Sequence, residues 1–95
     1  MDHLSLSFNK RFLKELNGIR KFIAKDSEQR AEKFVGRIYD RCLDLKIFPA
    51  ACRPSKYILK SDTRDLIVDG YVIPYRIIAN TIYILGIFKE NAWSE

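Results

Sequence analysis

The dipeptide Asp69-Gly70 most constrains the fold of this chain, because it divides a long apolar stretch into segments that must reverse direction. An Asp-Gly pair favours the left-handed backbone conformations of a two-residue β-hairpin turn. It lies within residues 64–88, where β-branched and aromatic side chains predominate. Asn80 is expected to supply a second turn, since asparagine tolerates a positive φ. The stretch is therefore predicted to form a three-stranded antiparallel meander, with strands at residues 64–68, 71–78 and 81–88.

The two turns also predict which side chains share a face of this sheet. A two-residue loop at each turn, with the second at Ala79-Asn80, fixes the register of both strand pairs. That register pairs Val68 with Tyr71, Leu66 with Ile73, Arg64 with Tyr75, Ile77 with Ile82, Tyr75 with Ile84, and Tyr71 with Phe88. This face is almost wholly apolar, and a sheet this short needs one apolar face covered, so we expect helices on it.

The residues before the meander have the periodicity of one strand and two helices. Residues 4–8 alternate apolar and polar, as a half-buried strand does. Residues 10–24 follow Asn9, a candidate N-cap, and carry an amphipathic helical pattern. Its inward positions are predicted to be Phe12, Leu13, Leu16, Ile19, Phe22 and Ile23.

A second helix is predicted over residues 27–46, with Asp26 as N-cap and Gln29 as its capping-box partner. Its inward positions are Ala31, Phe34, Val35, Ile38, Cys42 and Leu45. Two such helices form a hairpin that cannot bury both apolar stripes alone, and the uncovered sheet is the surface available to it. The predicted fold is α+β, in the order β-α-α-β-β-β, with a helical hairpin packed on one face of an antiparallel sheet.

The opposite face of the sheet is expected to stay uncovered and to bind a partner, because it mixes aliphatic and cationic side chains. Its residues are predicted to be Asp65, Ile67, Val72, Pro74, Arg76, Ile78, Tyr83, Leu85, Ile87 and Lys89. Pro74 has no N–H to give to a central strand. A bulge at Leu85-Gly86 would accommodate the proline, and the sequence then does not decide on which face of the sheet Lys89 lies.

Composition and charge limit the function classes further. At 95 residues, with 47% hydrophobic and 31% charged residues, residues 1–95 form one globular domain. There is no apolar run long enough to span a membrane and no signal-peptide pattern, so we expect a cytoplasmic protein. Cys42 and Cys52 lack metal-ligand spacing and are expected to be free thiols, so neither a metal nor a cofactor is predicted. Residues 10–46 hold eleven Lys/Arg and six Asp/Glu, which favours an acidic partner, either nucleic acid or protein.

The element order and one motif resemble the RelE/ParE superfamily, the toxins of bacterial type II toxin–antitoxin modules. The motif is RDLIVDGYVIPYRI, residues 64–77, followed by TIYILGI, residues 81–87. It matches the superfamily's charged residue and aliphatics, then Gly-Tyr, then a Tyr-Arg-aliphatic strand. The resemblance implies a cognate antitoxin whose acidic or amphipathic C-terminal segment wraps the toxin, and hence a hetero-oligomer.

The superfamily contains ribosome-dependent mRNA endonucleases, and this chain departs from them. They often carry an arginine directly after Gly-Tyr, where this chain has Val72, and a tyrosine or histidine near the C-terminus, which residues 89–95 lack. Such an enzyme must activate a 2′-hydroxyl and hold the phosphate with cations. The residues left for that chemistry are Arg76, Tyr83, Lys89, Lys60 and Arg64.

The ParE-like members instead bind and poison DNA gyrase without a catalytic set. Residues 87–93 of this chain, an aliphatic strand end, a short polar stretch and Trp93, resemble their ending, and the tail is residues 89–95. The function predicted first is therefore a gyrase-inhibiting toxin neutralised by an antitoxin. The alternatives are an mRNA endonuclease that acts on the ribosome and a basic nucleic-acid-binding module without toxicity, so whether the chain is an enzyme stays open. The predicted antitoxin- or target-binding residues are Val72, Arg76, Ile78, Tyr83, Leu85, Ile87, Lys89, Trp93, Arg37 and Arg41.

Overall fold

The computed structural model describes residues 4–58 and 62–90. Two helices pack on one face of a single sheet, which confirms the predicted α+β class and element order. The elements are β1 (Ser5–Phe8), α1 (Lys10–Ala24), α2 (Glu28–Asp44), β2 (Arg53–Pro54), β3 (Thr63–Val68), β4 (Tyr71–Ile78), β5 (Thr81–Ile84) and β6 (Phe88–Lys89). The sheet order is β1-β5-β4-β3-β2, and β6 continues the line of β5 beside β4. Because β1 lies parallel to β5, the sheet is mixed and not purely antiparallel.

The register of the meander is the predicted one between β3 and β4 and between β4 and β5. Val68 pairs with Tyr71 across the first turn, where Asp69 and Gly70 both have positive φ. Ile77 pairs with Ile82 across the second turn. The turn is at Ala79-Asn80, as predicted, but the positive φ, 53°, belongs to Ala79 and not to Asn80, so the residue expected to adopt it was wrong. The hairpin closes nonetheless, since the strand pairing on both sides outweighs the strain of one alanine.

The helices begin where the sequence predicts, but one cap is different. Asn9 precedes α1 without a side-chain hydrogen bond to the backbone. The N-cap of α2 is Ser27, whose Oγ accepts a hydrogen bond from the N–H of Arg30 at 3.1 Å, so the prediction of Asp26 was wrong by one residue. Either residue type can cap a helix, and the extended backbone of Ser27 decides which one does.

The core lies between the helices and the sheet face that was predicted to be apolar. It contains Phe12, Leu16, Phe34, Ile38, Leu66, Ile73, Tyr75, Ile82 and Ile84. Two of the predicted inward positions of α1 were wrong, because Leu13 is 44% exposed and Phe22 is 69% exposed. They lie on opposite margins of the apolar stripe, and the sheet covers only its centre.

A bulge separates β5 from β6, at the predicted place. Between the pairs Tyr75–Ile84 and Val72–Phe88, β4 has two residues and the other strand has three. The extra residue reverses the side-chain parity, so Phe88 pairs with Val72 and not with Tyr71. Ile87 consequently lies in the core and Lys89 lies beside Tyr71 on the helix side. The placement of Ile87 on the opposite face was therefore wrong, and Lys89, whose face the predicted bulge left undecided, lies on the helix side.

The face of the sheet away from the helices, called here the outer face, is largely covered. Residues 53–58, the covering segment, return across it: the N–H of Lys56 donates to Asp65 at 3.0 Å, and Tyr57 packs edge-on against Phe88. Val72, Pro74 and Asp65 are buried. The expectation of a fully uncovered outer face was wrong, because the buried carboxylate of Asp65 binds backbone and side-chain donors of this segment.

Candidate partner-binding surfaces

The predicted site residues do not form one surface, because the bulge and the covering segment divide them among several. Arg76, Ile78, Tyr83 and Leu85 keep some exposure on the outer face, whereas Val72 is buried. Ile87 and Lys89 belong to the helix side, and Arg37 and Arg41 lie on α2. Trp93 and Lys60 fall outside the residues that the structure describes.

Arg76 and Tyr83 are direct neighbours on the outer face, paired across β4 and β5. The guanidinium of Arg76 is engaged by Asp62, since its Nε lies 3.0 and 2.9 Å from the two carboxylate oxygens. This hydrogen bond holds the pKa of Asp62 below its usual value, which shows that the pair is charged at neutral pH. An arginine held this way is partly neutralised, so its capacity to clamp a phosphate is reduced.

Of the other three cations of the predicted RNA-cleaving set, Lys60 is outside the described residues, and Arg64 and Lys89 lie elsewhere. Arg64 pairs with Tyr75 on the helix side of the sheet and donates to the carbonyl of Cys52 at 2.7 Å. The Nζ of Lys89 stands 4.9 Å from the ring centroid of Tyr71, also on the helix side. The four side chains Arg76, Tyr83, Arg64 and Lys89 therefore do not surround one position where a phosphodiester could react.

Arg37 and Arg41 mark the basic side of α2. Arg37 binds Asp69 at the β3–β4 turn through its Nε and terminal nitrogen, at 2.8 and 2.6 Å. This contact ties the turn to α2. Arg41 is exposed and borders a hollow at the end of α2 with Phe48, Ala51 and Leu66. The exposed apolar residues Leu43, Ile47 and Phe48 lie in the same region.

Two features of the site went unnoticed in the sequence. Glu15 accepts a hydrogen bond from the N–H of Ile87 at 3.0 Å, and this contact joins α1 to the bulge. Asp65 is the only carboxylate in the middle of β3, and a buried carboxylate requires donors. The need for donors at Asp65 could have predicted that another segment covers this face. The covering segment supplies these donors, the N–H of Lys56 and the guanidinium of Arg53.

The described residues contain no group of three or more His, Cys, Asp or Glu placed to hold a metal ion. Cys42 and Cys52 are both free thiols, as predicted. Within residues 4–58 and 62–90, no helix is both long enough and apolar enough to cross a bilayer.

Comparisons with known proteins agree with this architecture. The family described as "ParE toxin of type II toxin-antitoxin system, parDE" has a model that matches residues 6–91. The chain is 30% identical to the protein named "Putative toxin Y4kP" of Sinorhizobium fredii (strain NBRC 101917 / NGR234), over all of this chain and 98% of that protein. A solved structure titled "Chromosomal ParDE TA system from P. aeruginosa" shares the fold, with a TM-score of 0.78 and 23% identity, over 92% of this chain and 96% of that one. The chain belongs to the ParE toxin family of type II toxin–antitoxin systems.

Proposed function

We propose that this toxin inhibits DNA gyrase by protein contact and that a cognate antitoxin neutralises it in the cytoplasm. The observation that carries the proposal is that Arg76 and Tyr83 lie on the outer face of the sheet, whereas Arg64 and Lys89 lie on the helix side. Ribonuclease chemistry needs an acid–base group and phosphate-binding cations around one phosphodiester. Binding to a protein target needs surfaces only, and membership of the ParE family favours that class.

An antitoxin is the second part of the proposal. The family name and the solved ParDE structure describe toxins that occur with an antitoxin. Exposed apolar side chains such as Phe22, Ile47 and Phe48 give such a partner surface to cover. The net charge of +5 favours an acidic one. We therefore expect the toxin to be isolated as a hetero-oligomer, and the complex to be more soluble than the toxin alone.

The test is a gyrase supercoiling assay with purified toxin, with and without ATP. We expect inhibition of supercoiling and linear DNA trapped after protease treatment. Arg76→Ala and Tyr83→Phe should retain this activity if they remain folded, because neither side chain has a chemical role in the proposal. Gyrase from the matching host that is unaffected by folded toxin would overturn the proposal.

An mRNA endonuclease is the second candidate, and the adjacency of Arg76 and Tyr83 is the observation that favours it. It predicts cleavage of mRNA on translating ribosomes that Arg76→Ala abolishes. The same variant therefore separates the two functions, since gyrase inhibition survives it and ribosome-dependent cleavage does not.

A further inference from the structure

An open cavity of about 390 Å³ lies between α1 and the end of the sheet, and it is called here the α1 groove. Gly18, Ile19 and Phe22 form its helical side, and Tyr71, Phe88 and Lys89 form the opposite side. Of the residues that were predicted to bind a partner on the outer face, it contains Ile87 and Lys89, which the bulge places on the helix side. Three features of this groove indicate what it holds.

The first feature is a glycine that the fold of this chain does not require. Gly18 lies inside α1, where glycine costs about 1 kcal/mol relative to alanine. A Cβ added at Gly18 would meet no atom within 4 Å. By contrast, a Cβ at Gly86 would come within 2.7 Å of Glu15. Packing within the described chain therefore explains Gly86 but not Gly18, and the absence of a side chain at Gly18 keeps the groove open.

The second feature is an exposed aromatic wall. Phe22 lies one helical turn from Gly18 and is 69% exposed, with the Nζ of Lys25 6.0 Å from its ring centroid. Burial of an exposed aromatic side chain is a common source of binding free energy at protein interfaces. Phe22 is thus suited to contact an apolar side chain that enters beside Gly18.

The third feature is the charge around the groove. A second cavity, of about 290 Å³, is lined by Ile23, Phe34, Arg30, Lys33 and Arg37. The two cavities adjoin, because Ile23 follows Ile19 by one turn of α1 and Phe34 packs on Tyr71 at 5.2 Å between ring centroids.

The cations at the two cavities are Lys25, Lys89, Arg30, Lys33 and Arg37. Within residues 4–58 and 62–90, only Arg37 of this group forms a salt bridge, with Asp69. Glu15, the acid at the groove, is engaged by Ile87 N and Arg11. These five cations outnumber the two acids named with them, Glu15 and Asp69, so the charge around the groove is positive and an acidic occupant complements it.

We propose that the α1 groove binds an acidic peptide segment of a partner protein, with an apolar side chain seated between Gly18 and Phe22 and carboxylates beside Lys89 and Lys33. A peptide fits better than a nucleic acid backbone, because the walls of the groove are apolar and the cations lie at its margins. The inference rests on the proposed function, since the antitoxin is the partner of this chemistry that the toxin is expected to have.

The glycine pair gives a matched test. Gly18→Gln places a side chain in the groove, whereas Gly36→Gln places one on the exposed face of α2, where a Cβ also meets nothing within 4 Å. Both changes raise helix propensity, so neither should unfold the toxin. The probe is the protein encoded beside the toxin gene, titrated against each variant at fixed salt. We expect Gly36→Gln to bind like the wild type and Gly18→Gln to bind at least tenfold more weakly.

Two charge-reversal variants test whether carboxylates of the peptide lie beside Lys33. Lys33→Glu reverses a cation at the basic cavity, and Lys14→Glu makes the same change in net charge at an exposed position of α1 that lines neither cavity. We expect Lys33→Glu to weaken binding about tenfold more than Lys14→Glu does. Equal weakening by the two would show that only net charge matters and would overturn the placement of carboxylates at Lys33.

The outcomes separate this inference from the proposed function. If the wild-type toxin binds the neighbouring protein and Gly18→Gln binds it equally well, the groove is not the site and the antitoxin proposal stands. If the wild-type toxin does not bind that protein at all, the antitoxin proposal fails and the inference fails with it. Binding lost in Gly18→Gln and kept in Gly36→Gln supports both.

Discussion

Glu15 of α1 accepts a hydrogen bond from the backbone N–H of Ile87 at 3.0 Å, although 72 residues separate them in the chain. The N–H of Ile87 follows the bulge between β5 and β6, where β4 offers it no partner of its own. The helix thus satisfies a donor that the sheet leaves unpaired. Glu15 lines the helical side of the α1 groove and Ile87 lines the sheet side, so the contact also fixes the distance between its walls.

Glu15→Ala should destabilise the toxin by about 1.5–3 kcal/mol, because it leaves a partly buried N–H without a charged acceptor. Urea denaturation followed by circular dichroism measures this. Arg11→Ala is the control, since the ion pair of Arg11 with Glu15 is exposed and its loss should cost less than about 1 kcal/mol. Equal costs for the two variants would show that the hydrogen bond to Ile87 contributes nothing.

The stability cost of Gly86→Ala should depend on whether Glu15 is present. The new Cβ would lie 2.7 Å from the Oε1 atom that binds Ile87, so the carboxylate must move and the hydrogen bond must break. The alanine should therefore cost much less in the Glu15→Ala background than in the wild type. A double-mutant cycle should give a coupling free energy of about 1 kcal/mol or more. Additive costs would contradict this account of Gly86.

The sequence predicted the parts of the fold that depend on local periodicity. Asp69-Gly70 gave the first turn and its register, and apolar spacing gave both helices to within two residues at each end. The exceptions are non-local. Nothing in the composition of residues 53–58 indicates that they cross the outer face, because that placement depends on Asp65, a carboxylate that only the folded sheet buries.

The candidate sites were harder to predict than the fold, for the same reason. The predicted outer face followed strict alternation, and the predicted bulge left only the face of Lys89 undecided. The one extra residue places both Ile87 and Lys89 on the helix side. Phe22 was assigned to the core because its spacing fits the apolar stripe of α1. Only the width of the sheet beneath the helix decides that it stays exposed.

Ala79→Gly should stabilise the toxin by about 0.5–1 kcal/mol. Ala79 has a φ of 53°, a left-handed conformation that costs a residue with a Cβ about 1–2 kcal/mol, and part of the gain is lost to the greater freedom of glycine when unfolded. Asn80→Gly is the matched control, because the φ of Asn80 is not positive, and it should destabilise. Thermal denaturation compares them, and a lower Tm for Ala79→Gly would contradict the assignment of the strain.

The two thiols should differ sharply in reactivity. Cys42 is completely buried, and this burial raises its pKa to about 12, whereas Cys52 is partly exposed. Since the thiolate is the reactive form, a thiol reagent at pH 8 should modify one cysteine in the native toxin and two in urea. Cys52→Ala should remove the fast reaction and Cys42→Ala should leave it. Two fast thiols in the native wild type would contradict the burial of Cys42.

The same shift in pKa makes the stability of the toxin fall at alkaline pH. The thiol of Cys42 in the unfolded chain loses its proton near pH ~8.5, while in the folded chain it keeps the proton up to about pH 12. The contribution of this thiol to the free energy of unfolding is therefore fully present below the pKa of the unfolded chain. Above that pKa it declines, by at most about 1.4 kcal/mol per pH unit. Urea titrations at pH 8, 9 and 10 should show a smaller decline in Cys42→Ala than in the wild type.

Asp65→Ala should release the covering segment from the outer face. The side chain of Asp65 has no exposed surface, and it accepts from Lys56 N at 3.0 Å and from Arg53 at 3.4 Å. Its loss leaves both donors without this acceptor. Because Arg53 is partly exposed and also lies near Glu90, we expect a cost of about 2–3 kcal/mol, below that of a fully buried pair.

Hydrogen exchange distinguishes release of the segment from general loss of stability. The N–H groups of Tyr57 and Ile58 donate to Ser55 Oγ, so their protection reports on the local structure of the segment. Asp65→Ala should increase the exchange rates of these two amides more than it increases the exchange rates of the α1 amides. An apolar dye should also bind the uncovered face around Pro74. Asp65→Asn keeps an acceptor for Lys56 N and should protect the segment better than alanine does. Uniform loss of protection across the chain would show instead that Asp65 supports the whole fold and does not specifically hold the covering segment in place.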